Sequence, residues 1–101
     1  MRQLPMGTIT LLFTDIEGST QLLQQLGDRY ATVLAESRRL LREAFQQWNG
    51  HEVDTQGDAF FIAFARATDA ISAAVAGQHA LANHPWPDDA VVLCAYGLAY
   101  R

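Results

Sequence analysis

An apolar opening strand, two helical stretches, a hairpin, a third helical stretch and a closing strand predict an α+β domain. Its sheet is of the split β-α-β, ferredoxin-like kind, with element order β-α-α-β-β-α-β. Three observations carry the prediction: the β-branched and aromatic run Thr8 to Thr14, a 3.6-residue apolar stripe from Tyr30 to Trp48, and two strand-like runs flanking the Gln56-Gly57 pair.

The first run, Thr8-Ile9-Thr10-Leu11-Leu12-Phe13-Thr14, is too apolar for a strand with one wet face and reads as a central strand. It gives way to Asp15-Ile16-Glu17-Gly18-Ser19-Thr20, where a glycine and two hydroxyl residues offer turn and cap chemistry before a short helix at Gln21 to Leu26. Gly27-Asp28 breaks that helix and caps the next. In this longer helix Tyr30, Val33, Leu34, Leu40, Leu41, Ala44, Phe45 and Trp48 share a face, with Arg38, Arg39, Arg42 and Glu43 mostly outside it. Asn49-Gly50 stops it.

Glu52 to Thr55 and Asp58 to Phe64 then read as hairpin arms around Gln56-Gly57, with Phe60 to Phe64 buried. Thr68-Asp69 is expected to cap an alanine-rich helix reaching Asn83, whose packed face would use Ile71, Ala74, Val75, Gln78 and Leu81. His84 to Asp89 reads as a loop and Ala90 to Leu98 as the last strand.

With 101 residues, half of them hydrophobic and 18% charged, the chain suits one domain with a single core and not a disordered segment. A formal charge of −4 supplies no basic footprint, so neither direct nucleic-acid binding nor an anionic membrane surface is expected. All seven basic residues are arginines, which excludes a Schiff-base or phosphate-loop lysine from this sequence. Cys94 is the single cysteine, leaving no partner for an intramolecular disulfide and no thiolate zinc cluster. His51, His79 and His84 are scattered without metal-ligand spacing. No run approaches the roughly 20 apolar residues of a membrane span. The first residues also lack signal-peptide patterning, so a cytoplasmic location is expected.

In the predicted topology the first strand and the second hairpin arm are antiparallel neighbours, which brings Asp15 and Asp58 to one edge of the sheet. Each aspartate alone reads as an ordinary turn residue. Together they flank apolar strands where stability alone would not place charge. Paired carboxylates repel unless a cation lies between them, and a hard oxygen set suits Mg²⁺ or Mn²⁺ held with substrate phosphates. The adjoining Glu17-Gly18-Ser19-Thr20 turn offers backbone N–H groups at a helix start, a natural place for phosphate oxygens.

Phe13-Thr14-Asp15-Ile16-Glu17-Gly18-Ser19-Thr20, followed by Glu52-Val53-Asp54-Thr55-Gln56-Gly57-Asp58-Ala59-Phe60-Phe61, resembles the class III adenylate and guanylate cyclase catalytic domain. The likeness extends to about Leu93 and is nearest to the bacterial group often fused to ATPase and DNA-binding regulators. The resemblance implies that ATP or GTP is converted to cyclic nucleotide and pyrophosphate by two-metal catalysis at a head-to-tail dimer interface. It implies that Asp15, Asp58 and the Ile16 carbonyl ligate the metals, and that Glu17, Gly18, Ser19 and Thr20 contact the phosphates.

Two departures qualify the resemblance. At the base-recognition position, where the family typically has lysine, this sequence has Asp54. A carboxylate only accepts hydrogen bonds, so Asp54 either accepts from a purine N–H or is a plain turn residue. After Val91-Val92-Leu93 the family continues into a Gly-Leu-His-Thr-Gly type segment, which Gly97-Leu98 echoes in broken form. The later strands, the second base-reading residue and the transition-state asparagine and arginine have no counterpart in this sequence.

The expectation is therefore that residues 1–101 are the N-terminal portion of a class III nucleotide cyclase catalytic domain, a ferredoxin-like cyclase core incomplete at the C-terminus. No catalytic residue is assigned, and a homodimer or a complementary cyclase chain is the expected partner. The alternative is a non-catalytic regulatory or dimerisation module on a cyclase scaffold.

Overall fold

The computed structural model describes residues 9–100. Strand β1 (Thr10–Ile16) leads to helix α1 (Ser19–Leu26), a 3₁₀ turn (Gly27–Arg29) and helix α2 (Tyr30–Gln47). Strands β2 (His51–Gln56) and β3 (Ala59–Phe64) form the hairpin. Helix α3 (Ala67–Asn83), a 3₁₀ turn (Pro87–Asp89) and strand β4 (Cys94–Tyr100) complete the chain. The four strands lie in the order β2-β3-β1-β4, and β1 is antiparallel to both neighbours, as the split β-α-β prediction requires. Of the predicted first strand, Thr8 lies outside the described residues.

Among the described residues, the helices cover one face of the sheet. In β1 the even residues Thr10, Leu12, Thr14 and Ile16 are buried, while Leu11 and Phe13 are partly open and Asp15 is exposed. Period-two alternation thus overrides the expectation that so apolar a strand is covered on both sides. The same alternation leaves Phe61 partly open between buried Phe60 and Ile62. Against the covered face, Phe45 of α2 meets Phe60 edge to face at 5.8 Å, with Leu12, Leu41, Phe64 and Leu81 fully enclosed. Each such side chain contributes about 1.5–3 kcal/mol by leaving water.

Helix α3 packs through Ala70, Ala73, Gly77 and Leu81, whereas Ile71 and Val75 of the expected face are about half exposed. Size decides this. A β-carbon at Gly77 would lie 2.9 Å from Leu41 Cδ2 and from the Tyr96 hydroxyl, so only the small-residue face lets α3 approach α2 and β4. The residue preceding this helix is Arg66 in extended conformation, not Thr68-Asp69. The last strand begins at Cys94, after an irregular stretch in which Ala90 and Val92 are nonetheless buried.

Candidate metal centre

The β1–β3 register, with Thr14 opposite Phe60, sets the end of β1 beside the tip of the hairpin. Two details differ from the sequence expectation. Strand β1 runs through Ile16, so Asp15 belongs to the strand; its carbonyl-bearing neighbour Ile16 is the last residue, paired with Cys94 of β4. The hairpin closes on the Gln56–Ala59 pair, making Gly57-Asp58 the turn and placing Asp58 at its tip and not inside β3. Gly57 has φ 57°, a left-handed conformation that side chains disfavour, which is why the glycine fixes the turn one residue later than predicted.

Across this corner the Asp15 and Asp58 carboxyl groups face one another. Desolvation by the surrounding residues first, then hydrogen-bond and charge contact with Asp58, hold Asp15 above its ordinary carboxylate pKa; the Ile16 N–H, donating to Asp15 Oδ1 at 3.0 Å, opposes the shift. Asp58 Oδ2 is buried without a hydrogen-bond partner. A buried acceptor with no donor, opposite a second carboxyl destabilised as an anion, is the arrangement a divalent cation resolves. The Asp15–Asp58 pair therefore fits a hard cation, and Ile16, whose carbonyl the sequence also assigned to it, is the next residue at the strand end. Among the described residues no group of three or more His, Cys, Asp or Glu is placed to hold a metal ion, so this corner offers the two carboxylates without a third such side chain.

The Gly18 turn follows immediately. Gly18 adopts φ 64° at the N-terminus of α1, and its carbonyl accepts from Leu22 N at 3.0 Å. Ser19 and Thr20 lie within the helix, and no side chain caps it, contrary to the hydroxyl-cap expectation. Uncapped first-turn amides are the groups that bind anions. The Glu17 N–H is already donated to Leu93 O at 2.8 Å, which takes Glu17 out of the amides this turn could offer an anion.

Asp54 lines a shallow groove of about 360 Å³ on the open sheet face, together with Leu11, Phe13, Val53, Gln56 and Phe61. Its Oδ1 accepts from Thr55 N at 2.8 Å and its Oδ2 from the Gln56 amide at 2.9 Å. A neighbouring hollow of about 300 Å³ shares Phe13 and Phe61 and reaches Asp15, so base-position and metal-position residues border one continuous apolar surface.

Two residues at this corner escaped the sequence reading. Tyr30 shares a hydrogen bond with Ser19; burial and then the charge of Asp58 raise its pKa, with a smaller contribution from Asp15. Arg38 donates from Nη2 to the Gly57 carbonyl. Tyr30 had been absorbed into the core stripe and Arg38 into the polar flank, and periodicity carries no signal that separates either from those roles.

Residues 1–82 match the family described as the adenylate and guanylate cyclase catalytic domain. The chain is similar to an adenylate cyclase of Podospora anserina, 37% identical over 83 residues, which are 82% of this chain and 4% of that protein. It is also similar to a solved structure of adenylate cyclases from Trypanosoma brucei in their monomeric state, with a TM-score of 0.76 at 34% identity, covering 84% of this chain and 37% of the other. A guanylate cyclase domain from Catenaria anguillulae in complex with GTP shares the fold, with a TM-score of 0.78 at 16% identity, covering 92% of this chain and 56% of the other. The chain thus spans a small fraction of the curated relative and about a third to a half of the structural neighbours.

Proposed function

The chain belongs to the adenylate and guanylate cyclase catalytic domain family, and from that premise we propose that it forms the metal- and triphosphate-binding part of a purine nucleotide cyclase site. Asp15, Asp58 and the Ile16 carbonyl would hold Mg²⁺ or Mn²⁺, and the amides of Gly18, Ser19 and Thr20 would receive the β- and γ-phosphates of ATP or GTP. When bound, the cations supply charge neutralisation and activation of the ribose 3′-hydroxyl for in-line attack on the α-phosphorus, with pyrophosphate leaving. This chain's own residues orient and hold; Phe13 and Phe61 give the base an apolar floor, and Asp54 stands at its edge as an acceptor.

The observation that carries the reading is the opposed Asp15–Asp58 pair with its unpartnered buried oxygen. We assign completion of the reaction to residues outside this sequence, in the same polypeptide or in a complementary cyclase chain docking on the open sheet face, in the cytoplasm, where ATP and GTP are available. Calorimetry with a nonhydrolysable ATP or GTP analogue and Mn²⁺ tests the binding half: heat is expected from the wild type and lost in Asp15→Ala, and heat unchanged by that substitution sinks the proposal. The chain alone is expected to form negligible cyclic nucleotide. Robust formation with Mn²⁺, abolished by Asp58→Ala, would show that no complementary chain is needed.

The exposed apolar residues Val53 and Leu98, with the half-open Phe13 and Phe61, also favour the dimerisation-module reading, because exposed apolar patches of this kind mark contact surfaces. A monomer at every concentration by sedimentation would remove that alternative. Among the described residues no helix is long and apolar enough to cross a membrane.

A further inference from the structure

Helix α2 presents two arginines one turn apart, Arg38 and Arg42, to the β2–β3 hairpin, and they grip it at different heights. Arg42 holds the Glu52 carboxylate through two nitrogens, at 2.8 and 3.3 Å, and lies 5.3 Å over the Phe60 ring, fixing the body of the hairpin. Arg38 reaches its tip, where Nη2 donates to the carbonyl of Gly57, the residue directly before Asp58; its Nε is buried with no partner of its own. Two turns earlier on the same helix, Tyr30 shares its hydrogen bond with Ser19. One helix therefore touches both the turn that carries an aspartate and the start of α1.

A two-residue turn of exposed Gly57 and half-buried Asp58 is held at its central peptide plane by few contacts of its own, and that plane sets where the Asp58 side chain starts. A charge-assisted hydrogen bond from a guanidinium is stronger than a neutral one and is directional. We propose that Arg38 is a positioning residue of the cation site: by holding the Gly57 carbonyl it fixes the hairpin tip so that Asp58 opposes Asp15 before a cation arrives. This rests on the reading of Asp15 and Asp58 as cation ligands. The role is that of an outer-shell partner, whose loss in metal sites typically costs about 10- to 100-fold in affinity.

The test compares Arg38→Met with Arg42→Met in the full 101-residue chain, by Mn²⁺ titration followed by electron paramagnetic resonance and by amide hydrogen exchange. Arg38→Met is expected to weaken Mn²⁺ about tenfold. It should also speed exchange at the Ala59 amide, beside the turn, while leaving Ile62 in mid-strand protected. Arg38→Lys, which keeps a donor, recovers part of both, and stands in for Arg38→Met should the latter fail to fold. Arg42→Met is expected to lower thermal stability with Mn²⁺ affinity kept. Unchanged affinity and turn protection in Arg38→Met, or an equal loss of affinity in Arg42→Met, would overturn the proposal. A wild type that takes up no Mn²⁺ would instead overturn the cation reading, and the exchange at Ala59 would then decide alone whether Arg38 holds the tip.

Discussion

The two faces of the sheet are built from the same kinds of residue and have opposite fates. Leu12, Phe60, Ile62 and Phe64 point toward the helices and are sealed; Leu11, Phe13 and Phe61 sit one position away on the same strands and remain partly open. Phe13 and Phe61 even form a close edge-to-face pair at 5.2 Å, as Phe45 and Phe60 do on the covered side. Chemistry of the side chain does not separate the two sets; what covers them does. The covered face holds the fold together, and the open face borders the acidic corner and the grooves beside it.

That contrast can be broken or sharpened by measurement. The largest effect is expected from Phe64→Ala on the covered face, about 3–5 kcal/mol in chemical denaturation, because a cavity opens where neighbours cannot collapse. Phe13→Ala on the open face is expected to cost about 1 kcal/mol. Equal losses would mean that the open face is as structural as the covered one.

Next in size is the response to cation. Mn²⁺ at about a hundred times its dissociation constant should raise stability by about 2.7 kcal/mol if it binds the folded state alone. Asp58→Asn should erase that gain while leaving the effect of Phe64→Ala intact. A gain that survives the substitution would move the cation away from this corner.

A smaller effect concerns pH without metal. Since the folded protein raises the Asp15 pKa above 3.8, the protonated form is favoured in the native state, and the associated stability is present below that value and lost as pH rises through the folded pKa. Glu52 runs the other way: the Arg42 guanidinium beside it lowers its pKa, so its contribution is lost on acidification. Denaturation of the wild type and Asp58→Asn across pH 3 to 7 separates the two, because the loss on rising pH should be smaller in the variant, which keeps the desolvation of Asp15 but not the charge opposite it. Parallel profiles would mean that the carboxyls do not interact. Smallest of all is the Arg42–Glu52 pair, partly exposed on both sides, whose removal by Arg42→Met should cost below about 1 kcal/mol.

The sequence made the acidic corner visible because two levels agreed there. The split β-α-β order fixes β1 against β3, and that pairing alone carries Asp15 to Asp58. The hairpin slipped by one residue because glycine and aspartate are both turn formers, so Gln56-Gly57 and Gly57-Asp58 compete until backbone geometry selects the residue with positive φ. The packed face of α3 was misread for a different reason. Alanine and glycine occupy much of its circumference, so hydrophobicity has little contrast to report, and the contact is chosen by closeness of approach to Leu41 and Tyr96. Arg38 was illegible because a charged residue bordering an apolar stripe looks the same whether it faces water or a carbonyl.

The separation of the two corner aspartates, Asp15 on β1 and Asp58 in the turn that leads into β3, has a consequence for biosynthesis. Asp58 emerges from the ribosome forty-three positions after Asp15, and the two are held opposite one another only once the chain through Phe64 has emerged and paired with Thr10. On the proposed reading of that corner, a nascent polypeptide stalled before that point would have no pocket for Mg²⁺, so uptake of the ion would report that the central ladder has closed.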